Sequence, residues 1–161
     1  MIRISKERLE ACIPVVEKFD FLSSLSSGDS VSLVDICKRS SLSSAVWCLK
    51  YCDEPKAQKF KFKIECIDLI RGELPKKDKK MFDALHAIRH EDISEIEVKK
   101  ARILPYSDIA PEKDGSANQY TSELHKLVDG SVFAVCQKLI TKYGVSEAQI
   151  EPIFLDAINF R

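Results

Sequence analysis

The sequence is poor in the residues that break regular structure: it has five glycines and six prolines in 161 residues. That excludes a loop-rich, low-complexity or disordered chain. It also lacks an excess of charge of either sign. Its 25 Lys and Arg balance 25 Asp and Glu, so no global field draws it to nucleic acid or anionic lipid. No run approaches the roughly 18 apolar residues of a membrane span. Met1-Ile2-Arg3-Ile4-Ser5 leads into charge rather than an apolar signal core, which predicts no export and a cytoplasmic setting. Several catalytic signatures are missing as well. There is no Gly-x-Gly-x-x-Gly or Walker A loop, no Gly-x-Ser-x-Gly elbow and no His-Glu-x-x-His. Phosphate-cradling, nucleophile-elbow and metalloprotease chemistries therefore have no support, and a non-enzymatic protein is expected, with no cofactor.

What is present suits a solvated globular protein: 45% apolar and 31% charged residues. The length predicts one domain, with a subdivision conceivable only at the 105–119 loop. The six cysteines are Cys12, Cys37, Cys48, Cys52, Cys66 and Cys136. They sit among apolar neighbours and form no Cys-x-x-Cys, so they read as reduced, buried small hydrophobes rather than disulfides.

Helical periodicity dominates, and no strand is expected. Ser5 caps a helix from Lys6 that carries Leu9, Cys12, Ile13, Val16 and Phe19, with Pro14 inside it. Gly28-Asp29 signals a turn. Ser30 or Ser32 opens a short helix, and Ser40 to Ser43 separate it from a helix over Ala45–Cys52. Asp53-Glu54-Pro55 starts the next, which is expected to reach Arg71 and stop at Gly72. Lys59-Phe60-Lys61-Phe62-Lys63-Ile64 alternates like a strand. The end signals favour helix, with lysine stems lying along a broad apolar face. Further helices are expected from Asp78 to His90 and from a capping box at Ser94 to a stop before Pro105. Tyr120–Tyr143 is expected to split at Asp129-Gly130, with Gly144 as a stop. A last helix follows a second capping box at Ser146, with Pro152 restarting or kinking it. The result is an all-α bundle, or a stack of helical hairpins, of seven to nine helices.

Three features could carry function. His86 and His90 stand at i and i+4, as do Cys48 and Cys52. Facing helices could bring them into a Cys2His2 metal site, although core cysteines and histidines near a helix C-terminus explain the same residues. The segment Glu54–Lys80 holds nine basic residues against five acidic ones. Its Lys56, Lys59, Lys63, Lys76, Lys77, Lys79 and Lys80 could meet an acidic protein surface or, alternatively, phosphate. The bland reading is a solvated turn. Trp47 is either an anchor packed between helices or an interface residue.

Two stretches, Ile4-Ser5-Lys6-Glu7-Arg8-Leu9-Glu10-Ala11-Cys12 and Val31-Ser32-Leu33-Val34-Asp35-Ile36 leading to Ala45-Val46-Trp47-Cys48-Leu49-Lys50, resemble small all-helical proteins of bacteria and their phages, of the immunity-protein type. The resemblance covers roughly the first 100 residues and carries no binding residue across. It implies a non-enzymatic inhibitor or regulator that binds a protein partner. The alternatives are a nucleic-acid-associated regulator that uses the Lys-rich segment and a metal-dependent helical enzyme built on His86 and His90.

Overall fold

A computed structural model describes residues 2–11, 25–52, 56–104 and 122–159. Arg3–Ser5 (β1) leads into Lys6–Ala11 (α1), and Ser30–Ser32 (β2) leads into Leu33–Arg39 (α2). Then follow Leu42–Lys50 (α3), Lys56–Asp68 (α4), Lys76–Ala87 (α5) and Ile93–Ile103 (α6). Glu123–Asp129 (α7), Val132–Tyr143 (α8) and Glu147–Ile158 (α9) complete the described chain. The fold is all-α, as the periodicity predicts, with nine α-helices among the described residues.

The strands correct the expectation that there would be none. β1 and β2 pair antiparallel, with Ile4 opposite Val31 and both buried. Each strand has three residues and one buried apolar position, too short for a period of two to show in sequence. The pair ties the ends of the described chain together. Leu33 N donates to Ile2 O at 3.0 Å, and Ile2 N donates to Ile158 O at 3.1 Å.

Serine caps set most helix starts. The hydroxyls of Ser32, Ser41, Ser122, Ser131 and Ser146 each accept from the backbone N–H three residues on. Each such cap contributes ~1 kcal/mol. The capping box at Ser146 and Gln149 is complete, and α9 runs through Pro152 rather than restarting there. The box expected at Ser94 is replaced. Asp92 caps α6, accepting from Glu95 N at 3.1 Å, while Ser94 Oγ donates to Asp92 Oδ1 at 2.7 Å. A carboxylate at that position outcompetes a hydroxyl two residues later. Gly144 ends α8 at φ +69°, the left-handed conformation a side chain resists. Gly130 separates α7 from α8 at the expected place.

The centre of the fold is α4, which packs against α5, α6, α7, α8 and α9. Phe60, Phe62, Ile64, Cys66 and Ile67 are all buried. Burial on several faces explains why one segment satisfies two periodicities at once. Phe62 meets Phe154 of α9 edge to face, with ring centroids 5.6 Å apart. The helix stops at Asp68, before the expected Arg71. Leu69 N and Ile70 N donate three residues back, to Cys66 O and Ile67 O, and a 3-10 turn follows over Arg71–Glu73. Leu69, at this change of helix type, is 39% exposed.

Among the described residues, Cys37, Cys48, Cys52, Cys66 and Cys136 are thiols rather than disulfides, and all but Cys52 are buried. Burial pushes the Cys66 thiol well up, and its hydrogen bond with the Cys136 side chain adds to the effect. Cys12, Pro14 and the 105–119 loop lie outside the described residues.

Candidate functional site

The basic segment divides in the structure. Lys63 turns inward from α4, and its amine donates to Val128 O at 2.6 Å and Gly130 O at 3.0 Å, closing the C-terminal end of α7. Burial pulls that ammonium down to about 8, helped by Lys100 and opposed by Asp129. Lys59 donates to Cys52 O beyond the end of α3. Both amines are thus engaged within the fold. The signal missing from the sequence was the position of the receiving carbonyls. Arg71 is also committed, gripping Asp83 through Nε and a terminal nitrogen at 2.7 Å each. That bond lowers the Asp83 carboxyl and raises the Arg71 guanidinium.

Lys76, Lys77 and Lys80 stay exposed, as does Lys56 at the start of α4, while Lys79 is half-buried. Lys76 and Lys77 occupy the first two positions of α5. Its N-cap, Pro75, has no side chain to bond the helix. Four lysines accompany a single acid in this stretch, Asp78, and Asp78 is 3% exposed. The Asp78 carboxylate turns inward and accepts from Leu124 N of α7 at 3.4 Å. Cations at a helix N-terminus oppose the macrodipole, so Lys76 and Lys77 cost the fold roughly 0.3–1 kcal/mol each.

The metal constellation is not assembled. α5 ends at Ala87, so His90 lies in the following turn and is not stacked on His86 along one helix face. α3 ends at Lys50, so Cys52 lies beyond it, and the Cys52 thiol donates to Cys48 O at 3.4 Å. His86 Nδ1 lies 3.2 Å from an Arg89 amino group. Among the described residues no group of three or more His, Cys, Asp or Glu side chains is arranged to hold a metal.

Trp47 is half-buried between α3 and α8, matching the packed anchor in part. Its ring meets Phe133 edge-on with centroids 4.8 Å apart and Tyr51 at 5.5 Å, and the Lys50 ammonium lies 4.8 Å from its centre.

One feature had no signal in the sequence. The turn between α5 and α6 stands beside the first turns of α4 and the end of α9, framing an open cleft of about 460 Å³. Gln58, Lys61, Arg89, His90, Glu91 and Asp92 line it with Ile93 and two alanines. Lys61 pairs with Asp156 at 3.3 Å and Glu65 at 3.9 Å, and Arg89 Nε lies 3.5 Å from Glu65. Glu91 accepts from Lys99 at 2.6 Å. Hydrogen bonds from Glu95 N and Ser94 hold the Asp92 carboxyl below its ordinary range.

Compared with known proteins, the chain matches no family model, no curated protein and no solved structure. No helix among the described residues is long and apolar enough to cross a membrane.

Proposed function

We propose that this chain is a non-enzymatic protein-binding module whose partner presents an acidic surface to the first turns of α5. The observation that carries this reading is the exposed Lys76, Lys77 and Lys80 on a helix start without a side-chain cap, with the one acid among them, Asp78, turned into the core. Residues that oppose their own helix dipole are explained by a function outside the fold. Leu69, exposed in the same α4–α5 connection, is an apolar side chain available to such a partner. Interfaces of this kind combine such an anchor with complementary charge at the rim. An inhibitor or immunity-type regulator is the instance that the N-terminal resemblance implies.

Nucleic acid is the poorer occupant. Phe60 and Phe62, the aromatics interleaved with lysines in sequence, are buried and offer no stacking platform.

The test is reconstitution of the intact chain with a stoichiometric partner recovered from lysate. The variant replaces Lys76→Glu, Lys77→Glu and Lys80→Glu together. We expect at least a tenfold loss of affinity for the partner, while thermal stability holds or rises because the new charges suit the helix dipole. Partner binding unaffected by the triple reversal overturns the assignment. Nucleic acid retained on the wild-type chain, released steeply by salt and lost in the variant, establishes the alternative.

A further inference from the structure

α6 commits little of its surface to the core. Of its eleven residues only Ile96 is buried, while Ser94, Glu95, Glu97, Val98, Ala101 and Arg102 are exposed. Val98, at the midpoint of the helix, is 53% exposed, the most exposed large apolar side chain among the described residues. Residues three and four apart share a helix face. Glu95 and Arg102 therefore flank Val98 from either end of the helix, and Ala101 lies beside it. Two cations of α6 are already occupied: Lys99 holds Glu91 at 2.6 Å, and Lys100 lies 3.4 Å from Asp129. Glu95 and Arg102 make no salt bridge among the described residues, and Glu95 acts on Lys99 only at a distance. Acid before base along a helix suits its dipole. The dipole does not account for an exposed apolar residue set midway between them. Opposite charges spaced evenly about an apolar centre form a pattern that is complementary to itself when reversed.

We propose that this face of α6 is the contact surface of a weak twofold dimer, its occupant a second copy of the chain. Laid antiparallel about an axis near Val98, the two helices bring their Val98 side chains together. Glu95 of each copy then faces Arg102 of the other, the reciprocal contact that a twofold interface requires. A parallel copy would instead set Glu95 against Glu95 and Arg102 against Arg102. The balance of 25 basic and 25 acidic residues leaves no general repulsion between copies. Eleven residues make a helix about 16 Å long, so the contact falls at the small end of the interface range and the dimer dissociates readily. This face lies on a different helix from the lysine turn, and the inference does not rest on that turn's function.

The experiment is sedimentation equilibrium of the intact chain from micromolar to millimolar concentration, with circular dichroism to confirm that each variant keeps its helices. We expect a monomer–dimer equilibrium. Val98→Asp should weaken it at least tenfold. Glu95→Arg and Arg102→Glu, taken singly, should do the same, because each sets like charges opposite one another twice. Mixing those two single variants should restore association to within about threefold of wild type, since every reversed position then meets the opposite sign. A chain that stays monomeric throughout overturns the proposal. So does a dimer that survives Val98→Asp and both reversals, or one that mixing the reversed variants fails to restore.

Discussion

Replacing Lys63 with methionine should change how stability responds to pH, and the structure fixes the sign. The amine sits between α4 and the α7–α8 turn, bonded to Val128 O and Gly130 O. It titrates at about 8 in the folded protein, against 10.5 for an ordinary lysine. Between those values the unfolded chain holds a proton that the folded chain has released, so stability rises with pH across that window. At neutral pH the folded state instead carries the cost of a buried charge. Integrated from about pH 7 to about pH 10, the wild-type protein should gain roughly 2 kcal/mol that the methionine variant cannot. The neutral amine still has two N–H groups for its two carbonyls, so the hydrogen bonds persist through the transition. Urea unfolding of both proteins at the two pH values provides the assay. Other ionisations common to both proteins cancel in the difference. A wild-type minus variant difference that stays flat, or falls as pH rises, refutes the reasoning and means that this ammonium is not desolvated.

Two further outcomes follow from the packing. Glu123, at the start of α7, is pushed up by burial. The ammonium groups of Lys138 at 2.9 Å and Lys142 at 3.1 Å outweigh that and hold it at about 2. Its contribution is present above pH 4.5 and is lost as pH falls through about 2. Glu123→Gln should cost about 1–2 kcal/mol at neutral pH, discounted for the exposed Lys142, and the difference from wild type should vanish in strong acid, as read by thermal melts across that range. Phe62→Ala removes the ring that α9 packs against and should cost about 3–5 kcal/mol by denaturant titration, with Phe62→Leu costing distinctly less.

Much of the architecture was legible because its punctuation is local. Ser32, Ser146, Gly130 and Gly144 act through their own backbone and need no knowledge of tertiary contacts. The capping of α6 was misplaced by two residues because Asp92 and Ser94 are both competent, and sequence does not rank them. The overrun of α4 past Asp68 came from Gly72, which reads as a stop but lies within the 3-10 turn. The site was less legible for a physical reason. A lysine stem spans enough distance that Lys59 and Lys63 can reach carbonyls on other segments, while Lys76 and Lys80, of the same chemistry, face outward. The cleft was invisible because Lys61, Arg89 and Glu91 converge only after α4, the α5–α6 turn and α9 have been assembled.

The central position of α4 has a consequence for biosynthesis. Its apolar surface is covered chiefly by segments that follow it, and the last of these, α9, is translated at the end of the described chain. A nascent chain paused after Leu104 holds Phe60, Phe62 and Ile64 without the helices α7, α8 and α9 that shelter them. The burial of α4 against α7, α8 and α9 is therefore collected only after those helices clear the ribosome, and until then the emerging polypeptide offers chaperones an adhesive segment.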